Sequence, residues 1–324
     1  MLAIKKTMVG LVAALGLGAV GPVWADYPDH PVRVVIPYPP GAAGDIIFRI
    51  LQPELSRELG QTVITDYKTG AGGNIGTQMV ARSKPDGYTL LFSATNNFVI
   101  NQFLYKNMGY DPFKDLHVIN KVADAAAFVY VNGELPVKNM AEFRDYVQQR
   151  KGQVNYGTPG AGTTPELSAW KLSEALEGDM LGIHYRGSAP GIQALLSNEV
   201  QMFVSSYGLG AAFLPEGRLK ALAVALPDRF PALPDVPTME ELGYKDVVIS
   251  NWWALAVPAG TDTEIVAKIE GALEKVLADP EIRKKLLDQG YLLSKVSSEE
   301  FRKGLPAEAD YWHDIVTKAG ISLD

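Results

Sequence analysis

The sequence has no cysteine among its 324 residues. Disulfides are excluded, as is a lipid anchor on an N-terminal cysteine, so the fold has to rest on its own core. A chain of this length buries enough surface for that. Histidine is scarce, and His30, His117, His184 and His313 fall in no H-E-x-x-H or other metal spacing. Positive charge is outnumbered, with 30 Lys and Arg against 37 Asp and Glu. Such a surface repels nucleic acid and anionic lipid at long range, yet leaves room for an anion held by local donors. Long apolar runs are missing after the first 25 residues, and no segment is of low complexity.

Enzyme signatures are missing too. Residues 70–76 break the G-x-G-x-x-G pattern, because Ile75 stands where its last glycine belongs, and residues 158–165 break it likewise. There is no G-x-x-x-x-G-K-[ST] phosphate loop and no G-x-S-x-G nucleophile elbow. No cofactor or metal is expected, and the chain does not read as an enzyme. A hydrolase or isomerase assembled from distant segments is the alternative enzymatic reading. Turnover of a bound compound would reveal it.

What is present begins with an export signal. Lys5 and Lys6 precede an apolar run over residues 8–20, Gly21 and Pro22 break it, and Val23-Trp24-Ala25 offers a cleavage triplet. The expectation is a signal peptide over residues 1–25 and a soluble mature protein from Asp26. Its loss removes two lysines, leaving 28 basic against 37 acidic residues, a net charge of −9.

The remaining chain repeats one unit: strand, small-residue loop, helix. Residues 32–37, 62–66 and 88–92 read as strands, followed by residues 38–44, 70–73 and 93–97 as loops. Residues 154–157, 182–185 and 200–204 repeat the pattern, with loops at 158–162 and 186–188 and a serine pair, Ser205 and Ser206. Thr163 and Glu166 have capping-box spacing, with Pro165 in the first turn. The alternation predicts an α/β fold with mostly parallel central sheets. Two runs of it predict two lobes: residues 26–125 with 228–324, and residues 126–227. Crossings are placed near residues 123–128 and 225–230.

In open α/β sheets ligands sit beyond the carboxyl ends of the strands, where helix N-termini present unpaired N–H groups to anions. Ser93, Asn96, Asn97, Thr158, Thr163, Ser205 and Ser206 are candidate side-chain donors there. Arg186 is the one basic residue in such a loop, positioned to hold a carboxylate or to stay solvated. Asp45 and Arg49 have ion-pair spacing, and Asp45 is also placed to hold the loop before it. Trp252 and Trp253 read as core aromatics, with a cleft lining as the alternative.

The chain resembles the Bug family, the extracytoplasmic receptors of tripartite tricarboxylate transporters. The resemblance spans the whole mature chain. It rests on Pro37-Tyr38-Pro39-Pro40-Gly41-Ala42-Ala43-Gly44-Asp45, on residues 70–76 followed by Lys84-Pro85-Asp86-Gly87-Tyr88, on Tyr156-Gly157-Thr158-Pro159-Gly160-Ala161-Gly162, on His184-Tyr185-Arg186-Gly187 and on Pro258-Ala259-Gly260-Thr261. It implies a two-lobed periplasmic binding protein, a type II-like Venus flytrap that holds a ligand carboxylate through backbone groups and waters. Carried onto this chain, the contacts are Tyr38, Pro40, Gly41, Ala42, Ala43, Asp45, Ser93, Asn96, Asn97 and Asn101 in one lobe. In the other they are Thr158, Ala161, Gly162, Thr163, Tyr185, Arg186, Gly187, Ser205 and Ser206. The implied partners are a dicarboxylate or aromatic carboxylate and the membrane subunits of the transporter, for a receptor acting as a monomer. A co-receptor for a membrane histidine kinase is the alternative. The chain departs from the family where Ala42 and Ala43 follow Gly41, and at Gln201.

Overall fold

The structure, a computed structural model, describes residues 27–323 apart from 246 and 248–250. The expected signal peptide lies outside the described residues. Among those described, no helix is long and apolar enough to cross a membrane.

The chain lays down β1 (Val32–Ile36), α1 (Ala43–Leu59), β2 (Val63–Tyr67), α2 (Asn74–Ala81), β3 (Thr89–Ala94), α3 (Asn101–Leu104), α4 (Pro112–Asp115) and β4 (Leu116–Ala125). It then passes to a second sheet with β5 (Ala127–Asn132), α5 (Met140–Gln149), β6 (Asn155–Thr158), α6 (Thr164–Ala175), β7 (Leu181–His184), α7 (Ser188–Leu196), β8 (Met202–Ser206), α8 (Tyr207–Gly210) and β9 (Leu219–Val224). It returns with β10 (Trp252–Pro258), α9 (Thr263–Ala278), α10 (Pro280–Asp288), β11 (Tyr291–Leu293) and α11 (Ser298–Ala319). The strand orders are β11-β4-β10-β3-β1-β2 and β7-β6-β8-β5-β9.

Both sheets follow one plan. A central strand, β1 or β6, has parallel neighbours on either side. Next comes a strand arriving from the other lobe, β10 or β5, antiparallel to both its neighbours. Strand β11 is antiparallel as well. The sheets are therefore mixed rather than mostly parallel. The reason is geometric: β1–β3 and β6–β8 run towards the boundary between the lobes, and a strand entering from that boundary must run away from it.

Side-chain alternation explains the burial of each sheet on two faces. Val34, Leu90, Phe92 and Leu255 enter one apolar cluster of the first sheet, with Phe48 of α1 and Leu273 of α9. Val35, Leu91, Trp252 and Ala254 enter the cluster on the opposite face, with Trp312 of α11. In the second sheet Val129 and Val204 face one cluster, and Phe128 and Phe203 the other.

The chain passes from the first sheet to the second between β4 and β5. The second crossing does not fall near residues 225–230, and a lobe boundary at residue 228 is too early. Pro227, Pro231, Pro234 and Pro237 keep that stretch out of regular structure. The chain nevertheless comes back to the second sheet: Thr238 bridges Val224, Met239 N–H donates to the Val224 carbonyl, and Met239 and Val247 enter the second lobe's core.

Candidate ligand-binding cleft

The parallel strands of both lobes end at the same boundary. Asn96, just beyond β3, donates through Nδ2 to the Gly162 carbonyl at 2.9 Å and accepts through Oδ1 from Thr164 Oγ1 at 2.8 Å. The loop after β6 therefore meets the turn after β3. The loops after β6 and β7 are joined in turn, because Gly187 N–H donates to the Pro159 carbonyl and Tyr185 N–H to that of Thr158.

Helix capping separates this boundary from the rest of the molecule. Among the described residues eight helices have eight or more residues. In α5, α9, α10 and α11 the side chains of Asn139, Asp262, Asp279 and Ser297 cap the first turn. In α1, α2, α6 and α7, each following a parallel strand, Ala42, Gly73, Thr163 and Gly187 provide no side-chain cap. A missing cap costs about 0.5–2 kcal/mol where alanine stands in for a capping side chain and only a few tenths where glycine does. The open first turns leave N–H groups and the positive end of the helix dipole at the carboxyl edges of the sheets.

Two buried carboxylates brace these loops. Asp45, 3% exposed, accepts from Gly41 N–H at 2.7 Å, Arg49 Nε at 2.6 Å and the Tyr67 hydroxyl. Burial works to raise its pKa, but these hydrogen bonds outweigh that and hold it below the usual carboxylate range. Glu166, 4% exposed, accepts from Gly162 N–H and pairs with His184 Nε2. The capping box expected between Thr163 and Glu166 is therefore not formed. Thr163 Oγ1 donates instead to the Gly160 carbonyl at 2.7 Å.

A family model described as the tripartite tricarboxylate transporter family receptor matches residues 47–321. The chain belongs to this family. It is 30% identical to protein BugT of Bordetella pertussis over 98% of this chain and 99% of that one. Among solved structures it is similar to MatC from Rhodopseudomonas palustris with bound malate, with 28% identity, a TM-score of 0.76, and coverage of 90% of this chain and 100% of that one. It is also similar to an R. palustris protein with adipate, with 28% identity, a TM-score of 0.80, and coverage of 92% and 99%. The family is one of extracytoplasmic solute-binding receptors and not of enzymes.

The receptor divides the sequence candidates into two groups. Pro40, Gly41, Ala42, Ala161, Gly162, Thr163 and Gly187 lie in the loops at the open helix ends and Ala43 opens α1, although Gly162 is buried. Tyr185 and Arg186 stand beside them. Tyr185 donates to Glu199 at 2.8 Å, and burial together with this carboxylate pushes its pKa up to about 12. Arg186 is exposed and has no hydrogen bond or ion pair among the described residues.

Most of the other group is bonded within the protein itself. Ser93 is a buried residue of β3 and Asn97 a buried residue of the turn after it, so residues 93–97 are not a polar loop. Asn97 Oδ1 accepts from Tyr38 at 2.8 Å and Ser93 at 2.6 Å, while Asn97 Nδ2 and Asn101 Nδ2 both hold the Gly72 carbonyl at 3.1 Å. Burial keeps the Tyr38 hydroxyl well above the ordinary phenol pKa, as a donor. Asn74 and Tyr110, which sequence reasoning missed, complete this network: Asn74 accepts from Asn101 at 2.7 Å, and Tyr110 donates to the Asn97 carbonyl at 2.9 Å. Thr158 accepts from Gly160 N–H at 3.2 Å, and Ser205 is buried in β8 opposite Phe128, with Ser206 the last residue of that strand. The two tryptophans are core residues on opposite faces of β10. Trp252 donates to Glu308, and Trp253 stacks edge-on with Tyr38.

Glu166 was also missed as a brace. Its signal is legible as glycine followed by an acid four residues later, Gly41 to Asp45 and again Gly162 to Glu166. Surface cavities of about 170 Å³ beside His117 and Glu270, and about 280 Å³ beside Trp170 and Met180, are lined by no residue of these loops.

Proposed function

We propose that the receptor captures a small organic carboxylate between the carboxyl edges of its two sheets and delivers it to the membrane subunits of a tripartite transporter. The observation that carries this reading is the capping pattern. The four long helices that begin at this boundary are the four without side-chain caps. A helix dipole alone contributes ~0.3–1 kcal/mol, whereas micromolar binding takes about 8 kcal/mol. Three or four charge-assisted hydrogen bonds of roughly 1.5–3 kcal/mol each close that gap. The first turns of α1, α6 and α7 and the loops before them supply such donors. The candidate contacts are thus the backbone N–H groups of the first turns of α1, α6 and α7, those of Gly41, Gly162 and Gly187 being already bound within the protein, with Tyr185 and Arg186 at the rim.

The unpaired Arg186 favours a ligand with a second carboxyl group. The malate and adipate of the two solved relatives, both dicarboxylates, support the same class. Residues 1–25 act in this reading as a cleavable export signal, and the receptor works as a monomer in the periplasm. The test is thermal-shift and calorimetric titration of the mature protein with malate, adipate, benzoate and acetate. Stabilisation by a dicarboxylate is expected, and no response to any carboxylate would overturn the reading.

A further inference from the structure

We infer that Asn96 is a positioning residue that clasps the second lobe's half-site onto the first lobe, rather than a contact to the ligand. Both polar atoms of its amide are already used across the boundary, on Gly162 and Thr164. The orientation of the amide follows from chemistry. The Gly162 carbonyl only accepts, so the atom facing it is the nitrogen, and the oxygen is left for the Thr164 hydroxyl. These two partners flank Thr163, the uncapped residue that opens α6. Asn96 thus fixes the peptides on both sides of an open helix end.

Its own mount is rigid. The preceding Thr95 is buried and accepts from Trp252 N–H at 2.9 Å, and the following Asn97 is anchored by Tyr38 and Ser93. Around the clasp Gly162 has no room for a side chain: a Cβ there would lie 2.7 Å from Leu323 and 2.8 Å from Leu104, both of the first lobe's packing. No other side chain has this reach with one donor and one acceptor on a single planar group. Aspartate keeps the shape but turns an oxygen towards the Gly162 carbonyl, and glutamine is one methylene too long.

This inference rests on the cleft being the ligand site, and two readouts separate it from that reading. In the first, adipate and malate are titrated into wild type, Asn96→Asp, Thr164→Val and Thr164→Ser, with urea unfolding confirming that each variant folds. Affinity is expected to fall about tenfold in Asn96→Asp, less in Thr164→Val, and to be retained in Thr164→Ser, which keeps the hydroxyl. A role for the Thr164 methyl group in packing, rather than for its hydroxyl on Asn96, would not be rescued by serine at that position. In the second, small-angle scattering of the unliganded proteins compares lobe separation, with Asn96→Asp expected to have a larger radius of gyration than wild type. Wild-type affinity together with wild-type scattering in Asn96→Asp overturns the clasp. Failure of wild type itself to bind any carboxylate overturns the proposed function instead, and the scattering then decides on the clasp alone.

Discussion

The loop–helix junctions of the two lobes solve one problem with different side chains. In the first lobe Asp45, third residue of α1, reaches back four positions to Gly41 N–H. In the second lobe Glu166, third residue of α6, reaches back four positions to Gly162 N–H. An ordinary capping box reaches back three, as Glu300 does to Ser297 at the start of α11. The extra residue of reach puts the acid beneath the loop and leaves the helix end without a side-chain cap. The counter-groups differ. Asp45 is held by Arg49, permanently charged, and by Tyr67, whereas Glu166 is held by His184, whose side chain is 48% exposed. The comparison teaches that the brace matters for loop geometry, and that the surrounding charge is free to vary.

Asp45→Ala breaks the stronger brace and gives the largest effect, a loss of about 2–3 kcal/mol in urea unfolding, because a buried carboxylate with three donors is removed. Acid probes the same residue. Its folded pKa is depressed, so its share of stability is fully present above the unfolded value of about 3.9 and is lost as pH falls through the lower folded value. The stability gap between wild type and Asp45→Asn is therefore expected to stay constant from pH 7 to about 5 and to narrow below about pH 4. Gly44→Ala comes next, at about 2 kcal/mol, since a Cβ there would lie 2.4 Å from the Trp253 ring. Proline in α6 occupies the equivalent second position, so the crowding belongs to the first lobe alone.

Glu166→Ala is expected to cost about 1–2 kcal/mol, less than Asp45→Ala, because it has one partner fewer and that histidine is half exposed. An equal or larger loss in the second lobe would reverse the comparison. Arg186→Ala has the smallest effect on stability, under about 0.5 kcal/mol, as an exposed group without a partner. The same variant sharpens the ligand class: its affinity for adipate is expected to fall while that for benzoate holds. Equal losses for both would remove Arg186 from the recognition of a second carboxyl group.

Much of the fold was legible along the chain. The β-branched run at residues 32–36, the glycine-rich turns and the helical spacing after Asp45 are local signals, and the family motifs repeat them in order. Polar residues in loops were legible only as candidates. Ser93, Asn97 and Asn101 look the same in sequence as Asn96 or Thr163, yet they face Tyr38, Asn74 and the Gly72 carbonyl inside the first lobe. Which partner an amide finds depends on which loops long-range closure brings within 3 Å, and no spacing rule carries that.

Sequence by itself determined that this chain is built from two runs of strand, loop and helix, without disulfides, and that glycine-rich loops precede its early helices. Only the tertiary structure decided that β10 and β5 insert antiparallel beside their sheets' parallel strands, that Thr238, Met239 and Val247 return to the second lobe, and that Asn96 spends its amide across the boundary. Propensity and periodicity act over a few residues. Strand insertion, lobe membership and the pairing of buried polar groups are settled by contacts between segments that the chain holds far apart.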